Sequence, residues 1–281
     1  MGTTQRIGNG VKNEPNWGNL SSSITSVSKA IEELIKLDSN DESSSDIPVD
    51  NQILDDQIIL NKKYKKIVKR RDDHIKSSLR RLVIIGGGAS KISKGESKKI
   101  GRAGIKTSSK LSSFFYNVSN HGLGNTLNQL GFSFNDNTTT QDVIDFLTNY
   151  CSESNVGMDD IAAKSALCEV LKELDNNSDH NINNFEDLMI KVIDQNLLSN
   201  MLCDFFGKYI YEYLWERLEE KLRQSKGFEI AKNTFDSIKK EIRGRVELLN
   251  SNRSLSSIDW ADEEGKIEIE NIFEAILTIE G

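Results

Sequence analysis

The chain has 281 residues, of which 37% are hydrophobic and 28% charged, and its formal net charge is −7. That balance suits one or two soluble domains with a real core, and no apolar run approaches the roughly 18 residues needed to cross a membrane. The opening MGTTQRIGNG lacks the apolar stretch of a signal peptide, so a cytoplasmic protein without a membrane partner is expected.

Residues 1–19 are polar and rich in Gly and Asn. They read as a disordered leader in which Pro15 and Trp17 offer a small docking anchor. Residues 20–60 read as a short helix followed by an acidic loop. Ile24, Val27, Ile31, Leu34 and Ile35 recur at helical spacing behind serines suited to capping, and DSNDESSSDIPVD follows.

Residues 61–106 read as a basic helical segment running into a glycine-rich hinge. Residues 61–112 hold 17 Lys and Arg against 3 Asp and Glu, whereas residues 1–60 hold 4 against 10 and residues 113–281 hold 15 against 30. Lys62, Lys63, Lys65, Lys66, Lys69, Arg70, Arg71, Arg80 and Arg81 have the density to track phosphates on a nucleic acid. The competing reading, favoured by the charge segregation itself, is a basic connector drawn to the acidic half of the chain or to an acidic partner. Tyr64 is the one aromatic residue in the segment, which argues against recognition of single strands by stacking.

The run LVIIGGGASKISKGESKKIG invites a nucleotide-site reading and fails its tests. Lys91 stands where a dinucleotide fingerprint starting at Gly86 needs its last glycine, and no Gly-Lys-Ser/Thr follows at phosphate-loop spacing. A flexible hinge is expected instead.

From Thr107 to the end, amphipathic periodicity predicts helices over 107–118, 122–130, 139–151, 158–174, 184–199, 201–224, 228–249 and 261–279. The fold class is therefore all-α: an irregular helical bundle body with a flexible N-terminal tail and a basic Gly-rich hinge. Residues 201–224 place Phe205, Phe206, Tyr209, Ile210, Tyr213, Leu214 and Trp215 over more than one face, as befits the centre of a bundle. Asp259 is the expected N-cap of the last helix, with Asp262, Glu263 and Glu264 in its first turn.

The chemistry-bearing residues form no constellation. His74, His121 and His180 have no Cys or His neighbour at ligand spacing and read as surface residues. Cys151, Cys168 and Cys203 lie far apart among helix-forming residues and read as packed, reduced thiols. The pairs Asp159/Asp160 and Glu219/Glu220 read as solvated helix faces, and no G-x-S-x-G elbow occurs. No catalytic residue, metal or cofactor is expected, and the chain reads as a non-enzyme.

Several stretches in fixed order carry a family resemblance: Met1-Gly2-Thr3-Thr4, NEPNWGNLSSSIT, the glycines leading to GRAGIKTSSKLSSFF, then FFGKYIYEYLWERL and SIDWADEEG. Together they resemble the QatB family of the Qat anti-phage defence system. The resemblance implies a non-catalytic associate of three neighbours: an ATPase, a QueC-like enzyme that activates a carboxylate with ATP and passes it to an amine, and a TatD-like nuclease. An unhindered Gly2 α-amine, with a pKa of about 7.7 to 8.0, keeps a neutral fraction able to accept such an acyl group. Myristoylation is disfavoured, because Arg6 stands where that motif wants Ser or Thr. The expected role is thus an adaptor and protein substrate, with Gly2 as the modified residue and Gly2, Thr3, Thr4, Pro15 and Trp17 meeting the partner. The alternative is a nucleic-acid-binding subunit that uses residues 61–112 to bring phage nucleic acid to the nuclease.

Overall fold

The computed structural model describes residues 17–41, 52–152, 157–252, 258–260 and 262–279. Its described elements are helices, with no strand among the described residues: α1 (Trp17–Asp41), α2 (Gln52–Ile85), α3 (Ala89–Ser93), α4 (Arg102–His121), α5 (Leu123–Gln129), α6 (Thr140–Cys151), α7 (Met158–Asn177), α8 (Ile182–Asp194), α9 (Leu198–Lys226), α10 (Phe228–Asn252) and α11 (Glu263–Thr278). Two compact units meet in sequence at Ile85/Gly86.

The first unit contains α1 and α2. Leu20, Ile24, Val27, Ile31 and Leu34 are buried at steps of three and four residues, the spacing of a coiled-coil seam. Ile67, Ile75, Leu79 and Leu82 are buried along α2, and Ala30, Leu34, Leu37 and Ile67 form one apolar cluster with Leu60 and Val68. Arg81 Nη1 donates to the Asn19 carbonyl at 2.8 Å and Arg70 pairs with Glu33 at 2.5 Å, which sets an antiparallel register.

Three details of this unit differ from expectation. Trp17 opens α1, so residues 17–19 of the expected leader are helical. The serines do not cap. Ser23 and Ser26 lie inside α1 and donate to carbonyls four residues back. Ile35 is 41% exposed, because the seam follows the 3.5-residue repeat and leaves it on the outer flank. Residues 42–50, most of the expected acidic loop, lie outside the described residues.

In the second unit α9 packs against α7, α10, α11 and α4, and 13 of its 29 residues are buried. The ring of Phe206 stacks on Phe273 of α11 at 4.3 Å, and Tyr211, Trp215 and Phe235 interlock between α9 and α10. Phe206, Tyr209, Tyr213, Leu214 and Leu218 are all buried, as the apolar periodicity requires. Burying such side chains is worth roughly 1.5 to 3 kcal/mol each.

Local capping sets several helix starts. Thr139 and Asp142 form a reciprocal capping box on α6, and Asn181 caps α8. The N-cap of α11 is Asp262, not Asp259. Asp262 accepts from Glu264 N and Gly265 N with its side chain, whereas Asp259 offers Gly265 N only its carbonyl.

The glycine-rich stretch lies at the boundary between the units, but it is not slack chain. Ile92, Ser93 and Ile100 are fully buried, and Ser93 Oγ donates to Glu274 of α11 at 3.3 Å. A Cβ on Gly86 would run into the Ile92 side chain, and one on Gly101 into the Ile92 carbonyl oxygen. Gly101 thus serves close approach of backbone to backbone, and Gly86 makes room for a buried isoleucine. The packed body therefore begins at Gly86 and not at Thr107.

Candidate functional site

Gly2, Thr3, Thr4 and Pro15 lie outside the described residues. Trp17 is half-buried in the first turn of α1, where it belongs to a helix and not to a tail.

The nine basic residues of the α2 region divide into two sets. Lys62, Lys63, Lys65, Lys66 and Lys69 are exposed, and the positions 62, 66 and 69 share one helix face over two turns. Arg70 is committed to Glu33, Arg71 lies 2.8 Å from Asp72, and Arg81 holds the Asn19 carbonyl; Arg80 is exposed. The lysines thus face solvent, whereas Arg70 and Arg81 bridge α2 to α1 and Arg71 pairs within α2.

A second arrangement stands at the start of α4. Its N-cap is Gly101, with a φ of 114° and no side chain to satisfy the free N–H groups of the first turn. Asp159 of α7 does this from 58 residues away: its Oδ1 accepts from Gly101 N at 3.1 Å, and its Oδ2 accepts from Ala103 N at 2.9 Å. The buried Tyr209 hydroxyl of α9 donates to Asp159 Oδ1 and accepts from Gly101 N at 2.6 Å. One turn further along α9, Tyr213 Oη donates to the Lys99 carbonyl at 2.8 Å.

Burial raises the Asp159 carboxyl above its usual range, against the lowering effect of the N–H and hydroxyl groups it accepts from. Tyr209 is pushed well up, first by burial and then by the Asp159 charge beside it. The cluster is a tertiary helix cap, and it pins the 94–101 turn to α7 and α9. The same device recurs at α5, where Gly122 (φ 80°) precedes the helix and Glu186 of α8 accepts from Leu123 N at 2.8 Å. Reading Asp159 as part of a solvated pair was therefore mistaken. An unadorned glycine before each helix was the available clue that a cap had to arrive from elsewhere.

Between α7, α9 and α10 runs a groove of about 440 Å³ lined by Glu169, Glu173, Lys208, Tyr211, Lys239 and Arg243. Its floor is Gly207, where a Cβ would come within 2.8 Å of Val246 Cγ2, so α9 and α10 approach closely there. The charges are largely satisfied within the groove. Lys208 Nζ lies 2.8 Å from Glu173, Lys239 sits over the Tyr211 ring at 4.8 Å, and Arg243 pairs with Glu247 at 2.8 Å. Burial, then the charge of Glu169, raises Glu212 beside it to about 6, with Lys239 acting in opposition.

Among the described residues no group of three or more His, Cys, Asp or Glu stands close enough to hold a metal ion. Burial pushes the Cys151 thiol up to about 12, which leaves it an inert core residue at neutral pH. His180 lies at the surface with Nδ1 2.7 Å from Asp175. No described helix is long and apolar enough to cross a membrane.

The fold and its sites define an all-helical protein of two units whose polar chemistry consists of charged faces and tertiary caps. The family model described as "Qat anti-phage system associated protein QatB" matches residues 92–279. The chain belongs to that family and is a component of the Qat anti-phage system. No curated relative and no solved structure matches the chain.

Proposed function

We propose that the chain acts in the cytoplasm as a non-catalytic adaptor and protein substrate of the Qat system. The second unit docks on a QueC-like partner enzyme, and the segment before α1 presents Gly2 to it. In the transfer, the neutral α-amine attacks an ATP-activated deazaguanine-type carboxylate. An amide bond forms, the bond to the activating phosphate breaks, and the proton of the amine passes to solvent.

The observation that supports this reading most is the extent of the family match. It covers nearly all of the second unit, where Asp159 and Glu186 cap helices and no three His, Cys, Asp or Glu gather to hold a metal ion among the described residues. A body of this kind suits docking better than bond-making. The reading takes Met1 as the initiator residue, removed because glycine follows. An ATPase and a TatD-like nuclease complete the proposed set of partners.

A second reading draws on the five exposed lysines of α2, which suit a subunit that delivers phage nucleic acid to the nuclease. Deleting residues 2–16 separates the two. On the first reading the truncated chain keeps its thermal midpoint and still co-elutes with the QueC-like partner, yet gives no protection in a plaque assay. Full protection by the truncated chain would remove the leader from the mechanism.

A further inference from the structure

The positive charge of residues 61–112 is divided between the two units. Its last part, residues 86–112, carries seven Lys and Arg against Glu96 alone, and it belongs to the second unit. There the backbone closes on itself three times. Glu96 N and Ser97 N both donate to the Lys91 carbonyl, at 2.9 and 3.1 Å; Gly101 lies against the Ile92 carbonyl; and a Cβ on Gly95 would sit 3.5 Å from the Arg102 Cα.

These closures gather Lys91, Lys94, Lys98 and Arg102, all exposed, with the half-exposed Lys99, onto one short knot of chain. None of these five side chains takes part in an ion pair or a hydrogen bond among the described residues. That is notable in a unit whose residues 113–281 carry 30 carboxylates against 15 cations.

We propose that this pinned loop is a binding surface for the backbone of double-stranded nucleic acid, held without regard to base sequence. Lysines left unpaired beside so many carboxylates of their own chain keep their charge available to an outside anion. A duplex offers about one charge per 1.7 Å of axis, the density such a cluster meets best. A protein partner fits less well, because interface cores are depleted in Lys and enriched in aromatic residues, and residues 86–112 contain no aromatic. The same lack removes the stacking on which single-strand binding depends. The loop is also ordered in advance: Asp159, Tyr209 and Tyr213 fix its backbone, so little conformational freedom is lost on binding. The proposal stands apart from the Gly2 reading.

The test is fluorescence anisotropy of the full chain with a 20-base-pair duplex of arbitrary sequence, between about 50 and 200 mM salt. With about four phosphates contacted, log K should fall with log salt at a slope of about −4. The variant Lys91→Gln/Lys94→Gln/Lys98→Gln alters exposed side chains and should keep the circular-dichroism spectrum and thermal midpoint. Its affinity should drop at least tenfold and its slope should flatten by about 2.7. The variant Lys62→Gln/Lys65→Gln/Lys66→Gln/Lys69→Gln should keep most of the binding. Three results would overturn the proposal: no binding at the low-salt end, loss confined to the α2 variant, or displacement of the duplex by polyglutamate of equal charge as readily as by unlabelled duplex. The last would assign the loop to an acidic protein.

Discussion

The two units carry dense positive charge by opposite means. In α2 the helix alone arranges it: one turn every 3.6 residues sends Ile67, Ile75 and Leu82 inward and leaves five lysines outward. In the 86–101 stretch irregular turns gather it, and those turns are anchored from a distance. The backbone there is held by an aspartate and two tyrosines from other helices, 58 to 114 residues distant in sequence. A surface built on periodicity tolerates point changes, whereas one built on a few long-range hydrogen bonds depends on each of them.

Asp159→Ala tests that contrast with the largest effect. It leaves Ala103 N without its side-chain acceptor, weakens the hold on Gly101 N and strips Tyr209 Oη of its own acceptor. The cost should be about 2 to 3 kcal/mol. Amide exchange should rise through residues 89–103 and stay unchanged in the 62–82 part of α2. Equal loss of protection in both regions would break the comparison.

A smaller and opposite effect is expected at Glu212. Its folded value of about 6 lies above the ordinary 4.5, with burial the largest cause, so its contribution to stability is complete below about pH 4.5 and is lost as pH rises through about 6. Glu212→Gln should therefore leave the thermal midpoint unchanged at pH 4 and raise it at pH 7.5. The gain should be up to about 1 kcal/mol once solvent screening is allowed for. A variant less stable at pH 7.5 would mean that Glu212 holds α9 to its neighbours by contacts, not merely as a desolvated charge.

The helices of the body were legible because their signal is local. The apolar positions of α9, and the breaks after Cys151 and Lys226, follow from periodicity and from turn residues within a few positions. The site-forming contacts were not. Asp159 beside Asp160 has the sequence appearance of an ordinary acidic first turn, and only the fold shows that its carboxylate caps another helix. Gly86 and Gly101 read as slack because composition records that glycine can bend, not that a carbonyl or an isoleucine presses against it. The choice between Asp259 and Asp262 as N-cap turned on backbone direction alone, which two aspartates in one short stretch do not reveal. The basic segment could be counted in full, but its division between two units required the boundary at Ile85/Gly86.

The proposed acyl transfer to Gly2 is read out by the mass of the N-terminal peptide. The chain should be expressed alone and together with its system partners in cells that the complete set protects from phage, and the first peptide compared. Met1 should be lost in both samples, and a deazaguanine-sized addition should appear on Gly2 only where the QueC-like enzyme is active. An unmodified Gly2 amine in fully protected cells would contradict the transfer.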